Sequence, residues 1–222
     1  MAGDQKDPKH EIALEARETS GERLFSPSAA RNRDPIRNVF LQTMPLEGTI
    51  LEIGGGTGEH GVHIAASAPG LRWLTGDPDP ASQRSIAAWI GASGLPNIEG
   101  PHCVDAAAAR WGVEDGGPFA GVVSINMIHI APFDAAEGVF AGAGRLLSTG
   151  GKLFLYGPFS RNGEHTSPSN EAFDASLKAR DARWGVRDIE HDLLPLAQKN
   201  ALMLEKLVEM PANNLSVIFR KN

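Results

Sequence analysis

Apolar positions along the chain fall into short runs that alternate with helical periods. Asp34 followed by Pro35 is an N-cap and first-turn signal, and Ile36, Val39, Phe40 and Met44 then share one face until Pro45 ends the segment. Thr49–Ile53 is a short apolar run, and a helix is predicted from Glu59 to about Ala68, stopped by Pro69-Gly70. Leu71–Thr75 reads as a second strand. Asp79-Pro80 repeats the cap-and-proline signal for a helix carrying Ile86, Ala87 and Ile90, with Gly94 as its left-handed C-terminal residue. Asn97–Val104 is a weaker strand and Phe119–Ile125 a stronger one. A helix from about Asp134 brings Val139, Phe140, Ala143, Leu146 and Leu147 together, Gly150-Gly151 breaks it, and Lys152–Tyr156 makes a fifth strand.

Strands that alternate with helices predict an α/β fold, a parallel sheet with helices on both faces. The last part of the chain departs from that rhythm. Residues 158–187 are polar and turn-rich, with a helical patch around Phe173 and Leu177, and read as an inserted lid-like segment. Asp188 is a helix cap signal, and Pro195 would kink or divide the helix that follows. Leu202–Met210 and Ser216–Arg220 are separated only by residues 211–215, too short for a crossover, so these strands form an antiparallel hairpin. Residues 1–33 read as an N-terminal lead-in or lid, partly extended over 1–27, and 1–222 read as a single domain.

Composition narrows the picture. Hydrophobic residues are 41 % and charged residues 22 % of 222, the balance of a folded globular chain. The net charge of −6 and the lack of a Lys/Arg cluster disfavour nucleic acid as a partner. The longest stretch free of charged residues, Gly116–Phe133, holds Ser124, Asn126, His129 and two prolines, so no membrane span is expected. One cysteine excludes an intrachain disulfide and fits a reducing, cytoplasmic setting, with Cys103 expected to pack in its strand.

The chemistry gathers at Glu52-Ile-Gly-Gly-Gly-Thr-Gly58, between a strand and a helix. Glycines there allow a tight turn and close approach of backbone to ligand, and the helix start favours polar or anionic atoms. Gly56, Gly58 and Gly61 match the G-x-G-x-x-G dinucleotide pattern, with Asp77 about twenty residues further on to accept from ribose hydroxyls. That pattern alone admits NAD or another adenosine cofactor. Three features favour S-adenosylmethionine. Glu52 suits a ligand ammonium and would repel pyrophosphate. Asp105 ends the third strand, where it could accept from an adenine amino group. The terminal hairpin is foreign to a standard dinucleotide half-fold.

With these residues in place, the chain resembles the class I S-adenosylmethionine-dependent methyltransferases, which implies a Rossmann-like seven-stranded sheet. More narrowly, it resembles the methyltransferase-like 26 family, also called domain of unknown function 938. The stretches that carry this are Ser26-Pro-Ser-Ala-Ala-Arg-Asn32, Ile125-Asn-Met-Ile-His-Ile130, Leu155-Tyr-Gly-Pro158, His165-Thr-Ser-Pro-Ser-Asn170 and Glu209-Met-Pro-Ala-Asn-Asn214. The resemblance implies that Glu52, Gly54, Gly56, Thr57 and Gly58 surround the methionine part of the cofactor, that Asp77 holds the ribose with Pro78 beside it, and that Asp105 and Ala106 face adenine. Asn126 falls on the acceptor-side loop. Many nitrogen-methylating relatives carry an acid followed by Pro-Pro there, which Asn126-Met-Ile-His129 lacks.

The expected function is methyl transfer to a small-molecule acceptor. The alternatives are a cofactor-binding module without turnover and a nicotinamide-dependent oxidoreductase, though Tyr156 has no Lys four residues later. Methyl transfer needs alignment, and a base only if the acceptor must lose a proton. An unperturbed imidazole titrates near neutrality, and His129, following the fourth strand, is the candidate base. Tyr156, the only tyrosine, is the candidate to orient substrate. Arg31 and Asn32 lie in the lead-in that would fold over the cofactor, with Arg31 able to bind a carboxylate. His60 and His63 lack a third ligand, and no metal is expected.

Overall fold

The computed structural model describes residues 16–222; residues 1–15 of the expected lead-in lie outside them. The chain opens with a small hairpin, β1 (Glu18–Ser20) and β2 (Arg23–Phe25), and runs into α1 (Pro27–Thr43). Then follow β3 (Gly48–Ile53), α2 (Glu59–Ser67), β4 (Leu71–Gly76), α3 (Pro80–Ser93), β5 (Ile98–His102), β6 (Phe119–Ile125), α4 (Phe133–Leu146) and β7 (Leu147–Gly157). A two-residue pair, β8 (Ser160–Arg161) and β9 (Glu164–His165), leads to α5 (Pro168–Arg180), α6 (Leu194–Lys199), β10 (Leu202–Met210) and β11 (Asn214–Lys221).

Seven strands form one sheet in the order β10-β11-β7-β6-β3-β4-β5. β5, β4, β3, β6 and β7 are mutually parallel, whereas β11 runs antiparallel to both β7 and β10. Alternate side chains enter two separate cores. Leu51, Ile53, Leu153 and Leu155 face α4 and α6, while Ile50, Trp73, Phe154 and Tyr156 face α1 and α2. Burial on both faces is why these strands read as unbroken apolar runs. Phe40 of α1 fills the second core, with its ring centroid 5.5 Å from that of Trp73 and 6.1 Å from that of Phe154.

Four expectations need correction. α1 begins at Pro27, not Asp34: the Ser26 side chain accepts from the Ala29 amide, and Pro27 supplies the same cap-and-proline signal one turn pair earlier. Pro35 is carried inside the helix, where it has no amide to donate. β7 starts at Leu147, before the glycine pair, and residues 148–151 bulge out between the Phe119↔Leu147 and Gly121↔Lys152 pairings. Cys103 lies just beyond β5 and is exposed, because that strand ends at His102. Asp188 caps a single π-turn, Ile189–Leu193, and Pro195 sits in the first turn of α6, where its missing amide costs nothing. Among the described residues, no helix is long and apolar enough to cross a membrane.

Candidate active site

The loop between β3 and α2 is fastened to the end of β4. Gly54 and Gly55 both donate to the Gly76 carbonyl, each at 3.0 Å. Gly54, Gly56 and Gly58 have φ of 71°, 57° and 91°, the left-handed region that favours glycine. Gly55 is needed for space: a Cβ there would lie 2.5 Å from Thr75 Oγ1. The Asp77 carboxylate accepts from the Gly56 amide at 3.0 Å and from the Asp79 amide at 2.9 Å, so it shapes the loop from behind. Burial raises its pKa, offset by those two amides.

Glu52 is buried beneath the loop. Its Oε2 accepts from the Trp73 indole at 3.1 Å and abuts Gly61, where a Cβ would come within 2.5 Å. Burial pushes this carboxyl up to about 7.

A cavity of about 540 Å³ opens at the carboxyl ends of β3, β6 and β7. Of the residues expected from sequence, Arg31, Asn32, Gly54, Gly56, Thr57, Asn126, His129 and Tyr156 line it. Glu52, Gly58, Asp77, Pro78, Asp105 and Ala106 do not. Glu52 and Asp77 are turned inward. Pro78 and Asp105 are exposed at the ends of β4 and β5, the Asp105 Oδ1 accepting from the Ala107 amide at 2.9 Å, with Ala106 buried beside it. Arg31 and Asn32 reach the cavity from the first turns of α1 rather than from an extended arm. Asn32 Oδ1 is 2.8 Å from His60 Nε2, and Asn32 also bonds the buried Tyr156 hydroxyl, whose pKa burial raises. Partial burial pushes His60 down to about 4.

His129 is wholly buried, in the turn after β6, and stacks edge-on with Phe159 at 4.7 Å. Its Nδ1 faces the backbone amide of Arg187 at 3.3 Å. An amide N–H can only donate, so Nδ1 carries the lone pair and the neutral ring carries its proton on Nε2. Among the described residues, that Nε2–H is buried without a partner. Burial, with the Arg187 charge nearby, pushes the imidazole down to about 3. His129 is therefore a fixed donor in the cavity wall rather than the base expected from sequence. Asn126 holds the turn in a left-handed conformation, φ 61°, while its amide donates to the Tyr156 carbonyl at 2.8 Å.

Sequence reading missed Arg187. Its Nε donates to the Ile128 carbonyl at 2.9 Å, and its Nη2 donates to those of Ala131 at 2.7 Å and Arg183 at 3.1 Å. It also missed Arg17, which lines the cavity with its Nε buried. The available signal for Arg187 was one arginine directly after the uncharged stretch Trp184–Val186.

The sheet order and the single antiparallel strand define a methyltransferase fold. An O-methyltransferase family protein from Burkholderia thailandensis matches with a TM-score of 0.73 at 16 % identity, over 88 % of this chain and 57 % of its own. The mitomycin 7-O-methyltransferase MmcR matches with a TM-score of 0.72 at 15 % identity, over 88 % of this chain and 54 % of its own. CalO1, a methyltransferase in calicheamicin biosynthesis solved with S-adenosylhomocysteine bound, matches with a TM-score of 0.65 at 16 % identity, over 88 % of this chain and 54 % of its own. The chain thus spans little more than half the length of these structures. Within that fold it belongs to the family described as protein of unknown function DUF938, whose model matches residues 23–221.

Proposed function

We propose that the protein is an S-adenosylmethionine-dependent methyltransferase acting on a small molecule. One observation carries this reading: the glycine loop and the turn bearing Asn126 and His129 are walls of the same cavity. A cofactor cradle and an acceptor surface thus face each other at the carboxyl edge of the sheet, where open α/β folds bind ligands. The residues suit the group: at Gly56, which lines the cavity, an added Cβ would meet nothing nearer than the Gly54 carbonyl at 4.0 Å, so the loop leaves open space there. Glycines 54, 56 and 58 with Thr57 would hold the methionine part, with Arg31 and Asn32 closing over it. Asp77 and Pro78 would border the ribose, and Asp105 and Ala106 the adenine. The terminal antiparallel strand favours this over a nicotinamide enzyme.

Bound S-adenosylmethionine supplies an electrophilic methyl group. The chain supplies alignment. The Nε2–H of His129 holds an acceptor oxygen, and the Tyr156 hydroxyl stays protonated to orient the acceptor at neutral pH. Calorimetric titration with S-adenosylmethionine and S-adenosylhomocysteine tests the reading. Saturable binding of both is expected; no binding of either at millimolar concentration overturns it.

A further inference from the structure

Two carboxamide side chains in the cavity wall, Asn170 and Asn214, have their amino groups tied to the protein. Asn170, at the start of α5, is 4 % exposed. Its Nδ2 donates to the Asn213 carbonyl at 2.8 Å and to Thr166 Oγ1 at 2.9 Å. A carbonyl can only accept, so this amide cannot be turned round, and both of its N–H groups are engaged. The Asn214 Nδ2 donates to the carbonyls of Pro211 at 3.1 Å and Ala212 at 3.2 Å, which fixes that side chain in the same way. Oδ1 is then the polar atom each has left to present to the cavity. Among the described residues no donor reaches either oxygen, and neither oxygen is closed off from solvent.

The segments that carry these oxygens are locked together. Asn213 Nδ2 donates to Ser169 Oγ at 3.2 Å, answering the bond from Asn170. Ala212 and Asn213 are both held at φ 59°, left-handed positions that persist because the surrounding contacts over-determine them. Phe173 follows Asn170 by three residues on the same face of α5, and it lines the cavity with Ile130 and Pro158. A ligand seated against that apolar surface covers the two oxygens. Without a donor to offer, it leaves a desolvated oxygen unpaired, and the site rejects it on that account. Asn170 and Asn214 also end the stretches His165–Asn170 and Glu209–Asn214, which the cofactor loop leaves without a role.

We propose that Asn170 and Asn214 select the methyl acceptor: their Oδ1 atoms receive hydroxyl or N–H groups of a compact molecule whose apolar face lies against Phe173. This rests on the methyltransferase reading and names the substrate class for that site.

The test uses the full chain saturated with S-adenosylhomocysteine and two pairs of probes that share a ring and differ in donors. Catechol is titrated beside 1,2-dimethoxybenzene for the hydroxyl arm, and benzamide beside N,N-dimethylbenzamide for the N–H arm, with binding followed by NMR. In at least one pair the donor probe should bind about tenfold or more tightly than its methylated partner. Asn214→Ala should reduce that preference by about threefold or more while leaving S-adenosylhomocysteine affinity within about threefold. Because Asn170 also ties α5 to the 211–214 turn, its role is read in the unaltered protein. Its side-chain amide protons should be protected from exchange with or without probe, and its Cγ resonance should move when the donor probe binds. A purely structural Asn170 gives the protection without the movement. Equal or tighter binding of the methylated partner in both pairs, no binding of either donor probe, an unmoved Asn170 Cγ, or an undiminished preference in Asn214→Ala overturns the proposal. If S-adenosylhomocysteine itself fails to bind, the methyltransferase reading fails separately, and the same titrations on the free protein still report whether the carboxamide wall selects donors.

Discussion

Gly157 has no room for a side chain. A Cβ there would stand 2.3 Å from His129 Nε2 and 2.6 Å from its Cδ2. Gly157→Ala must therefore push the imidazole from its slot, costing about 1–3 kcal/mol of stability as an overpacked core does. Methyl transfer should fall by about 100-fold, since misplacement of an aligning group by an ångström costs that much. S-adenosylhomocysteine affinity, measured by calorimetry, should stay within about threefold, because the glycine loop does not touch this position. Equal loss of binding and turnover would mean that the variant damages the whole site. Glu52 makes a second prediction at this scale. Its carboxyl is raised from 4.5 to about 7 by burial, so the folded protein holds a proton there that the unfolded chain releases between those values. Stability from this group is complete below pH 4.5, falls as pH rises to 7, and stays lower above it, by roughly 3 kcal/mol. Glu52→Gln removes the dependence. The difference in urea midpoint between variant and parent should grow in the variant's favour from pH 4.5 to 7 and then level off. A difference independent of pH would show that Glu52 titrates normally.

The turn from Asn126 to Ala131 is held mainly by a segment far along the chain. Arg187 contributes three side-chain hydrogen bonds to carbonyls and its amide to His129, and its guanidinium lies 5.4 Å from the centre of the Phe133 ring. Arg187→Met keeps much of the volume but leaves those carbonyls unanswered, so a loss of about 2–4 kcal/mol is expected. In hydrogen exchange, the amides of residues 127–131 should open faster than those of β3 and β4, while cofactor affinity is retained. Unchanged protection of that turn would show that it stands without Arg187. This dependence was illegible in the sequence because local patterning does not say which arginine is buried, and Arg187 meets the Ile128 carbonyl across 59 positions. The central strands β3, β6 and β7 were legible for the opposite reason: each is largely buried on both faces, so its apolar run is self-contained. The start of α1 fell between. Ser26-Pro27 and Asp34-Pro35 are equivalent cap signals, and only the packing of Ala29, Ile36 and Phe40 on the sheet shows that one helix spans both. The glycine loop was readable as a loop, but not the inward turn of Glu52 and Asp77. Spacing puts an acid at a strand end without saying which way it faces.

At the scale of the molecule, the cavity at the carboxyl edge of the sheet is completed by pieces outside the sheet. The hairpin β1–β2 is pinned to α3: the Leu24 amide donates to the Ser85 hydroxyl at 2.9 Å, and the Trp89 indole donates to the Leu24 carbonyl at 2.9 Å. Phe25 stacks on Trp89 at 5.0 Å, and Arg23 lies over both rings. From the other side, Asn170 at the start of α5 donates to the Asn213 carbonyl at 2.8 Å, tying the inserted segment to the β10–β11 turn. Cofactor binding should therefore lock several remote segments at once and appear as a gain in global stability. At a hundredfold excess over its dissociation constant, S-adenosylhomocysteine should add about 2.7 kcal/mol, or roughly 5–10 °C in melting temperature for a chain of this size. NADH at the same concentration should leave the melting temperature unchanged, and a shift by NADH alone would favour the nicotinamide reading. Trp89→Ala releases the hairpin while leaving the sheet intact. In that variant the shift at a fixed S-adenosylhomocysteine concentration should shrink to less than about half, because part of the binding energy now goes to ordering residues 17–26. An undiminished shift would mean that the hairpin merely covers α3 and takes no part in closing the site.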